Sequence, residues 1–133
     1  MSPESLASAG LLLVIMPTVI FGGVSILTLL IRDPRYRQNP LRQQLWRAGH
    51  AHAGVLLVLS LLALLYVDQT DLPETWKQVV RSAIPSAAIF LPAAFFLSML
   101  SPTATKPNAL IYLAYVGAAV LAFGLIVLGV GLL

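Results

Sequence analysis

Two histidines, His50 and His52, lie two residues apart in the segment WRAGHAHAG, which covers residues 46–54, and the chain has no others. Imidazole is a common ligand of haem iron and of transition metals, and it exchanges protons near neutral pH. The neighbouring residues are Gly and Ala, so little side-chain bulk lies beside either ring. This pair is therefore the first candidate for a binding site.

The spacing of the two histidines limits what they can bind. Positions i and i+2 of an α-helix differ by about 200° around the axis, so His50 and His52 point to nearly opposite faces. They cannot hold one metal ion together, as histidines at i and i+4 can. We predict two separate half-sites, each completed by another helix or another molecule. The alternative is that each ring only hydrogen-bonds a neighbouring hydroxyl or carbonyl group and joins helices.

The composition indicates an integral membrane protein. Of the 133 residues, 59% are hydrophobic and 10% are charged, whereas a soluble domain has about 25% charged residues. The absence of Cys excludes disulfides, thiolate chemistry, and Cys-type zinc and iron–sulfur sites. The sequence pI of about 9.7 is a topology signal, because the chain has too little polar surface to present a basic face to nucleic acid. We expect the lipid bilayer as a partner and no nucleic acid.

Four apolar runs are long enough to cross about 30 Å of hydrocarbon as helices. We predict an all-α integral membrane protein with a single transmembrane domain over residues 1–133. Its helices are expected at about residues 6–31, 40–67, 79–100 and 109–133. The short connections predict an up-down-up-down bundle of antiparallel neighbours. Asn39 and Pro40 are expected to cap and begin the second helix.

The charged residues predict the orientation. Five arginines lie in or beside the first connection: Arg32, Arg35, Arg37, Arg42 and Arg47. The second connection is acidic, and Arg81 is expected to pair with it or to extend its charged group to the membrane surface. The positive-inside rule then puts the first and third connections in the cytoplasm and both termini on the non-cytoplasmic side. The expected location is the plasma (inner) membrane of a prokaryote.

Met99, Tyr112 and Tyr115 are predicted to lie at a depth comparable with that of the histidines. Thioether sulfur is a soft ligand for haem iron or Cu(I), and a phenol can donate a proton. We therefore group these residues with His50 and His52 as candidate cofactor-binding residues, and the two histidines are also the candidate metal ligands. Alternatively, Met99 fills the core and the tyrosines belong to an interfacial aromatic belt. No catalytic residue is predicted, since no Asp or Glu lies within a span and no phosphate loop, nucleophile elbow or catalytic triad appears.

Small residues and prolines predict how the helices pack. Gly117, Gly124 and Gly131 recur every seven residues and indicate a packing face, either inside the bundle or between subunits. Pro85 and Pro92 share one face of the third span, where they either open a cavity against the second span or only curve the helix.

In one respect the histidine pair resembles the heme-copper oxidases, in which one membrane helix carries His-x-His and the two rings ligate different haems. The resemblance covers His50 to His52 and implies an axial-ligand role for each ring. The second ligand of such a haem would come from Met99, a symmetry-related His50 or His52, or another subunit, unless the sixth position is open.

A second resemblance is to the membrane-associated eicosanoid and glutathione metabolism proteins, whose second helix opens with Arg-Ala-His-x-Asn-x-x-Glu. Here Arg47 and Ala48 are followed by Gly49 before His50, Gly54 stands where the register puts Asn, and no Glu follows. The resemblance therefore does not imply that this chain binds glutathione.

The preferred hypothesis is a subunit or accessory of a larger membrane redox or metal system that binds a cofactor or metal, such as haem or copper, through His50 and His52. It would work as a homo-oligomer or with a partner membrane subunit. A binding role is preferred to catalysis, and an enzymatic role stays open. One alternative is a scaffold or assembly subunit without a cofactor. The other is a binder or enzyme for a lipid-soluble molecule such as a quinone, entering between the second and third spans near Pro92 and Met99.

Overall fold

The computed structural model describes the whole chain, Met1–Leu133, and it contains helices and no strands. The elements in order are α1 (Pro3–Arg32), α2 (Pro34–Arg37), α3 (Pro40–Val67), α4 (Glu74–Ser98), a 3-10 turn (Ala109–Tyr112) and α5 (Leu113–Leu132). Four of these are long and apolar enough to cross a membrane: α1, α3, α4, and α5 together with its 3-10 turn. The all-helical architecture with four membrane-spanning candidates is therefore confirmed.

The largest differences from the predicted element boundaries are at the start of α4 and before α3. Helix α4 begins at Glu74 and not near residue 79, because its first turn is polar and extends beyond the apolar run. The short helix α2 was not predicted; the Asp33 side chain accepts the backbone N–H of Arg35 at 2.9 Å and caps it. At the start of α3, Asn39 accepts the N–H of Arg42 at 3.0 Å and Pro40 follows it, as predicted.

Helix α4 occupies the centre, between α3 and α5. A buried cluster joins these three helices and consists of Ala63, Val67, Val80, Ile84 and Leu128. Helix α1 lies at the side and has only two buried residues, Ser5 and Leu12. Leu12 packs against Leu57 and Leu64 of α3. Helix α1 is therefore seated mainly on α3, and it leaves a cleft between itself and α4.

The glycine stripe of α5 packs inside the bundle. A Cβ atom on Gly117 would lie 2.9 Å from the Leu91 side chain, and one on Gly124 would lie 2.9 Å from Ile84. One on Gly131 would lie 2.6 Å from Leu72. Gly117 and Gly124 therefore serve the α4–α5 contact, whereas Gly131 faces a side chain of the connection before α4.

A buried ionic network ties the start of α1 to α3 and α4, at what we call the Asp68 end of the bundle. Arg81 is 5% exposed and donates from Nε to Ser5 Oγ at 2.9 Å. It also pairs with Asp68 at 2.7 Å and with Glu74. The expected pairing of Arg81 with the acidic second connection is thus confirmed.

Asp68 is held in its ionised form by this network. Burial by itself raises the pKa of the Asp68 carboxyl. Hydrogen bonds from the Ser2 backbone N–H, from Arg81 and from the Ser5 and Ser2 hydroxyls outweigh that effect and lower the pKa to about 2.

The opposite end, which we call the Arg42 end, is closed by a second buried arginine. Arg42 is 6% exposed and donates from Nε to the Met99 carbonyl at 3.0 Å. Its guanidinium carbon lies 4.1 Å from the centroid of the Trp46 ring, within the range of a cation–π contact. Trp46 in turn donates from Nε1 to the Phe96 carbonyl at 3.2 Å. These contacts join α3 to the last turn of α4.

Candidate functional site

The His50 side chain projects from α3 towards α1, where two adjacent glycines make room for it. A Cβ atom on Gly23 would lie 2.9 Å from both Cε1 and Nε2 of the ring, and one on Gly22 would lie 3.8 Å from Nδ1. The ring is half-buried and makes no hydrogen bond within the chain. Any side chain larger than glycine at position 23 would push the imidazole out of this notch.

His50 stands at one end of a cavity of about 540 Å³, which we call the α1–α4 cleft. The cleft lies between α1 and α4, with α3 behind it, and is lined from Arg81 and Ser82 at one end to His50 and Phe96 at the other. Along α1 it extends from Leu11 to Gly22, about 16 Å at about 1.5 Å per residue.

The other polar side chains that line the cleft already have partners. Thr18, Ser82 and Ser86 donate to carbonyls three or four residues earlier in their own helices, at 2.7 to 2.9 Å. Arg81 is saturated by the ionic network at the Asp68 end. His50 is therefore the one polar side chain of the cleft that has no hydrogen-bond partner.

His52 lies on another face of α3 and has a different environment. Its Nδ1 is 2.7 Å from the Ala48 carbonyl, and its ring centroid is 5.2 Å from that of Phe95 in α4. A carbonyl only accepts, so in the neutral ring this contact puts the proton on Nδ1 and leaves Nε2 as an acceptor. The side chain is exposed. The Nε2 atom of His52 is therefore accessible from outside the bundle.

The prediction that the two rings point to different faces is confirmed. One ring faces α1 and the other lies beside Phe95 of α4, so they cannot share a ligand. The chain also contains no group of three or more His, Cys, Asp or Glu side chains that could hold a metal ion. Any metal bound at either histidine would need ligands from another molecule.

The three other candidate residues lie apart from the histidines. Met99 is fully buried at the Arg42 end, where its carbonyl binds Arg42. Arg42 precedes His50 by eight residues of α3, which is about 12 Å along the helix. Tyr112 and Tyr115 are 65% and 74% exposed, and they stack on each other at 6.2 Å. The structure does not bring these three side chains to an imidazole, and their roles as ligands stay predictions.

Ligand entry is predicted between the second and third spans, near Pro92 and Met99. Both residues are buried, and entry at that point stays a prediction. The cavity lies between α1 and α4 with α3 behind it, and Pro85 lines it. Sequence reasoning missed the notch at Gly22 and Gly23. The signal for it was a Gly-Gly pair inside an apolar span, at a depth comparable with that of His50.

No protein-family model, curated protein or solved structure matches this chain. The chemistry of the site is what indicates a function. That chemistry consists of an unpartnered imidazole at the end of an apolar cleft and a second imidazole, with a defined tautomer, on the outer surface.

Proposed function

We propose that this chain is a membrane protein that binds a lipid-soluble ligand with a flat polar head, such as a quinone, in the α1–α4 cleft. The observation that carries the proposal is that His50 lacks a hydrogen-bond partner in a cavity whose other polar groups are satisfied. The half-buried ring faces an apolar cleft that offers it no partner. A carbonyl or hydroxyl group on a ligand would supply this hydrogen bond, and such a bond contributes about 0.5–1.5 kcal/mol.

The shape of the cleft supports a ligand with an apolar tail. Apolar side chains such as Leu11, Ile15, Leu57 and Ile89 line most of its length. At about 1.5 Å per residue, that length is about 16 Å along α1, which suits an extended isoprenoid or alkyl chain with its head group at His50. No carboxylate lines the cleft. We therefore propose that the cleft binds a ligand, and we assign no acid–base reaction to it.

We place the chain in the membrane with its four long helices antiparallel to their sequence neighbours. Contacts at both ends support this arrangement: Ser2 near the start of α1 binds Asp68 at the end of α3, and Asn39 before α3 binds the Ala104 carbonyl after α4. The basic Arg42 end would face the cytoplasm, and both termini would lie on the other side. The proposed location remains the inner membrane of a prokaryote.

Tryptophan fluorescence can test the ligand. Trp46 packs edge-on against Phe96, which lines the cleft, at a centroid distance of 5.6 Å, whereas Trp76 contacts Phe123 of α5. In a Trp76→Phe background in detergent, a decyl-benzoquinone should quench Trp46 saturably. His50→Phe should weaken the apparent affinity about tenfold, since it removes one buried hydrogen bond.

His52→Phe is the matched control, because it removes an imidazole from the same helix outside the cleft. It should leave the quenching curve unchanged. Linear, non-saturating quenching in the parent protein, or equal losses in the two histidine variants, would rule out a quinone site at His50.

A haem or metal ion bound at His52 is a second candidate, and one observation favours it. Metal-ligating histidines commonly donate their other ring N–H to a carbonyl, as His52 does to Ala48. The exposed Nε2 would then ligate a metal shared with a second copy or with another membrane subunit. This retains the hypothesis of a redox or metal-handling subunit, with His52 and not His50 as the ligand.

An absorption spectrum and elemental analysis of protein extracted in mild detergent test this second candidate. Haem absorbance or bound copper that is lost in His52→Ala and retained in His50→Ala is the expected result. Protein that contains neither group, prepared with its native membrane partners still attached, would exclude it.

A further inference from the structure

The Arg42 end carries a concentration of positive charge that the chain does not neutralise. Six basic residues lie at this end against the single acidic residue Asp33: Arg32, Arg35, Arg37, Arg42, Arg47 and Lys106. The ion pairs of the chain both involve Arg81, at the other end. Electrostatic attraction for an anion is therefore strong at the Arg42 end.

Within this end is a second cavity, of about 530 Å³, which we call the loop cleft. One wall is the α2–α3 junction, with Arg35, Gln38 and Leu41, and the other is the loop after α4, with Pro102 and Thr105. No acidic side chain lines it. The loop cleft thus combines one cation with neutral polar groups and a strip of apolar carbon.

Several hydrogen-bond donors in the loop cleft have no partner in the chain. The Arg35 guanidinium makes no ion pair or hydrogen bond, and neither does the Gln38 amide or the Thr105 hydroxyl. By contrast, Arg37 at the same end donates to the Leu30 and Ile31 carbonyls. The Arg35, Gln38 and Thr105 side chains are exposed, so their donors are open to a ligand that enters the loop cleft.

The two walls are held together by the chain's own hydrogen bonds. Asn39 donates from Nδ2 to the Ala104 carbonyl at 2.9 Å and to the Pro102 carbonyl at 3.3 Å. Arg42 donates to the Met99 and Leu100 carbonyls just before that loop. The separation of the walls is thus set before any ligand arrives, which lowers the cost of binding.

We propose that the loop cleft binds the phosphate of an anionic membrane lipid. A guanidinium with amide and hydroxyl donors beside it suits phosphate oxygens, and arginine recognises them through two parallel hydrogen bonds. The cleft lies where α3 begins, at the level of the head groups if α3 spans the bilayer. Pro40, Leu41 and Pro102 would contact the glycerol and the first acyl carbons. This site is separate from the α1–α4 cleft and does not depend on its ligand.

Native mass spectrometry of the full chain in a neutral detergent tests the site. The protein is titrated with phosphatidylglycerol and, separately, with phosphatidylcholine of the same acyl chains. We expect retained phosphatidylglycerol in preference to phosphatidylcholine. Arg35→Gln should weaken that binding at least tenfold more than Arg47→Gln, because a charge-assisted hydrogen bond is lost in addition to a charge.

Arg47→Gln is the matched control, since it removes the same charge from an exposed side chain that does not line the loop cleft. Thr105→Val adds a variant without a charge change and should weaken phosphatidylglycerol binding while Thr28→Val does not. Equal effects of the two arginine variants would show nonspecific attraction and overturn the proposal. Binding of inorganic phosphate alone with the same dependence on Arg35 would assign the site to free phosphate, and this also overturns it.

Discussion

The ring of His50 in α3 lies against the backbone of Gly23 in α1, so closely that a Cβ atom on Gly23 would be 2.9 Å from its Cε1 and Nε2. Glycine inside a helix is less stable than alanine by about 0.5–1 kcal/mol. Gly23 therefore lowers the stability of α1. In return it leaves room for the His50 imidazole at the end of the apolar cleft.

Gly23→Ala should displace the His50 ring and weaken ligand binding in the α1–α4 cleft. The new methyl group overlaps the ring, and the ring is the part that can move. We expect a several-fold loss of quinone affinity in the Trp46 quenching assay and a shifted imidazole signal of His50 in NMR. Gly10→Ala is the control in the same helix, because a Cβ there meets nothing within 4 Å. The same affinity in both variants would contradict the role of the notch.

Gly124→Ala should destabilise the bundle by separating α5 from α4. The added Cβ would lie 2.9 Å from Ile84 Cγ1 and 3.1 Å from the Cβ of Ala83, both in the packed interface. Overpacking of this kind costs about 1–3 kcal/mol. Reversible unfolding in mixed micelles, followed by circular dichroism, measures the loss. Gly129→Ala, with open space around it, should unfold like the parent protein.

Arg81→Gln should lower the free energy of unfolding by about 3 kcal/mol, near the lower end of the range for breaking a buried ion pair. The substitution leaves Asp68, whose side chain is 15% exposed, without its cation, while Glu74 remains mostly in solvent at 69%. The same micelle unfolding assay measures the change. Arg47→Gln, on an exposed arginine, should change the value by less than about 0.5 kcal/mol; a similar loss in both variants would contradict the network's role.

The network also predicts a pH dependence of stability. The folded pKa of Asp68 is lowered from 3.8 to about 2, so the folded state favours the ionised carboxylate. Its stabilising contribution is therefore fully present above a pH of about 4 and is lost as the pH falls through about 2. Thermal unfolding in detergent between pH 5 and 2 should show this decline. Asp68→Asn should be less stable at pH 5, and its stability should depend little on pH. Asp71→Asn should keep the stability and the pH dependence of the parent protein.

Much of the architecture was predictable from composition and local pattern. Hydrophobic length alone identifies α1, α3, α4 and α5, because a helix that crosses lipid must satisfy its backbone groups internally. The two faces of the histidine pair follow from the fixed rotation per residue of a helix. The cap at Asn39 follows from its side chain and the proline after it. Each of these properties depends on residues close together in the sequence.

The site itself was decided by tertiary contacts. Whether α1 packs on α3 or on α4 determines where the cleft opens, and two apolar helix surfaces do not differ enough in sequence to reveal that choice. The glycine stripe of α5 shows the same limit: its period indicates a packing face, but only the positions of Leu91 and Ile84 show that α4 is the partner. Likewise, His50 is unpartnered and His52 is bonded to Ala48 because of what surrounds each ring in space. A local pattern fixes the direction in which a side chain points, and the neighbours it meets there come from residues far away in the chain.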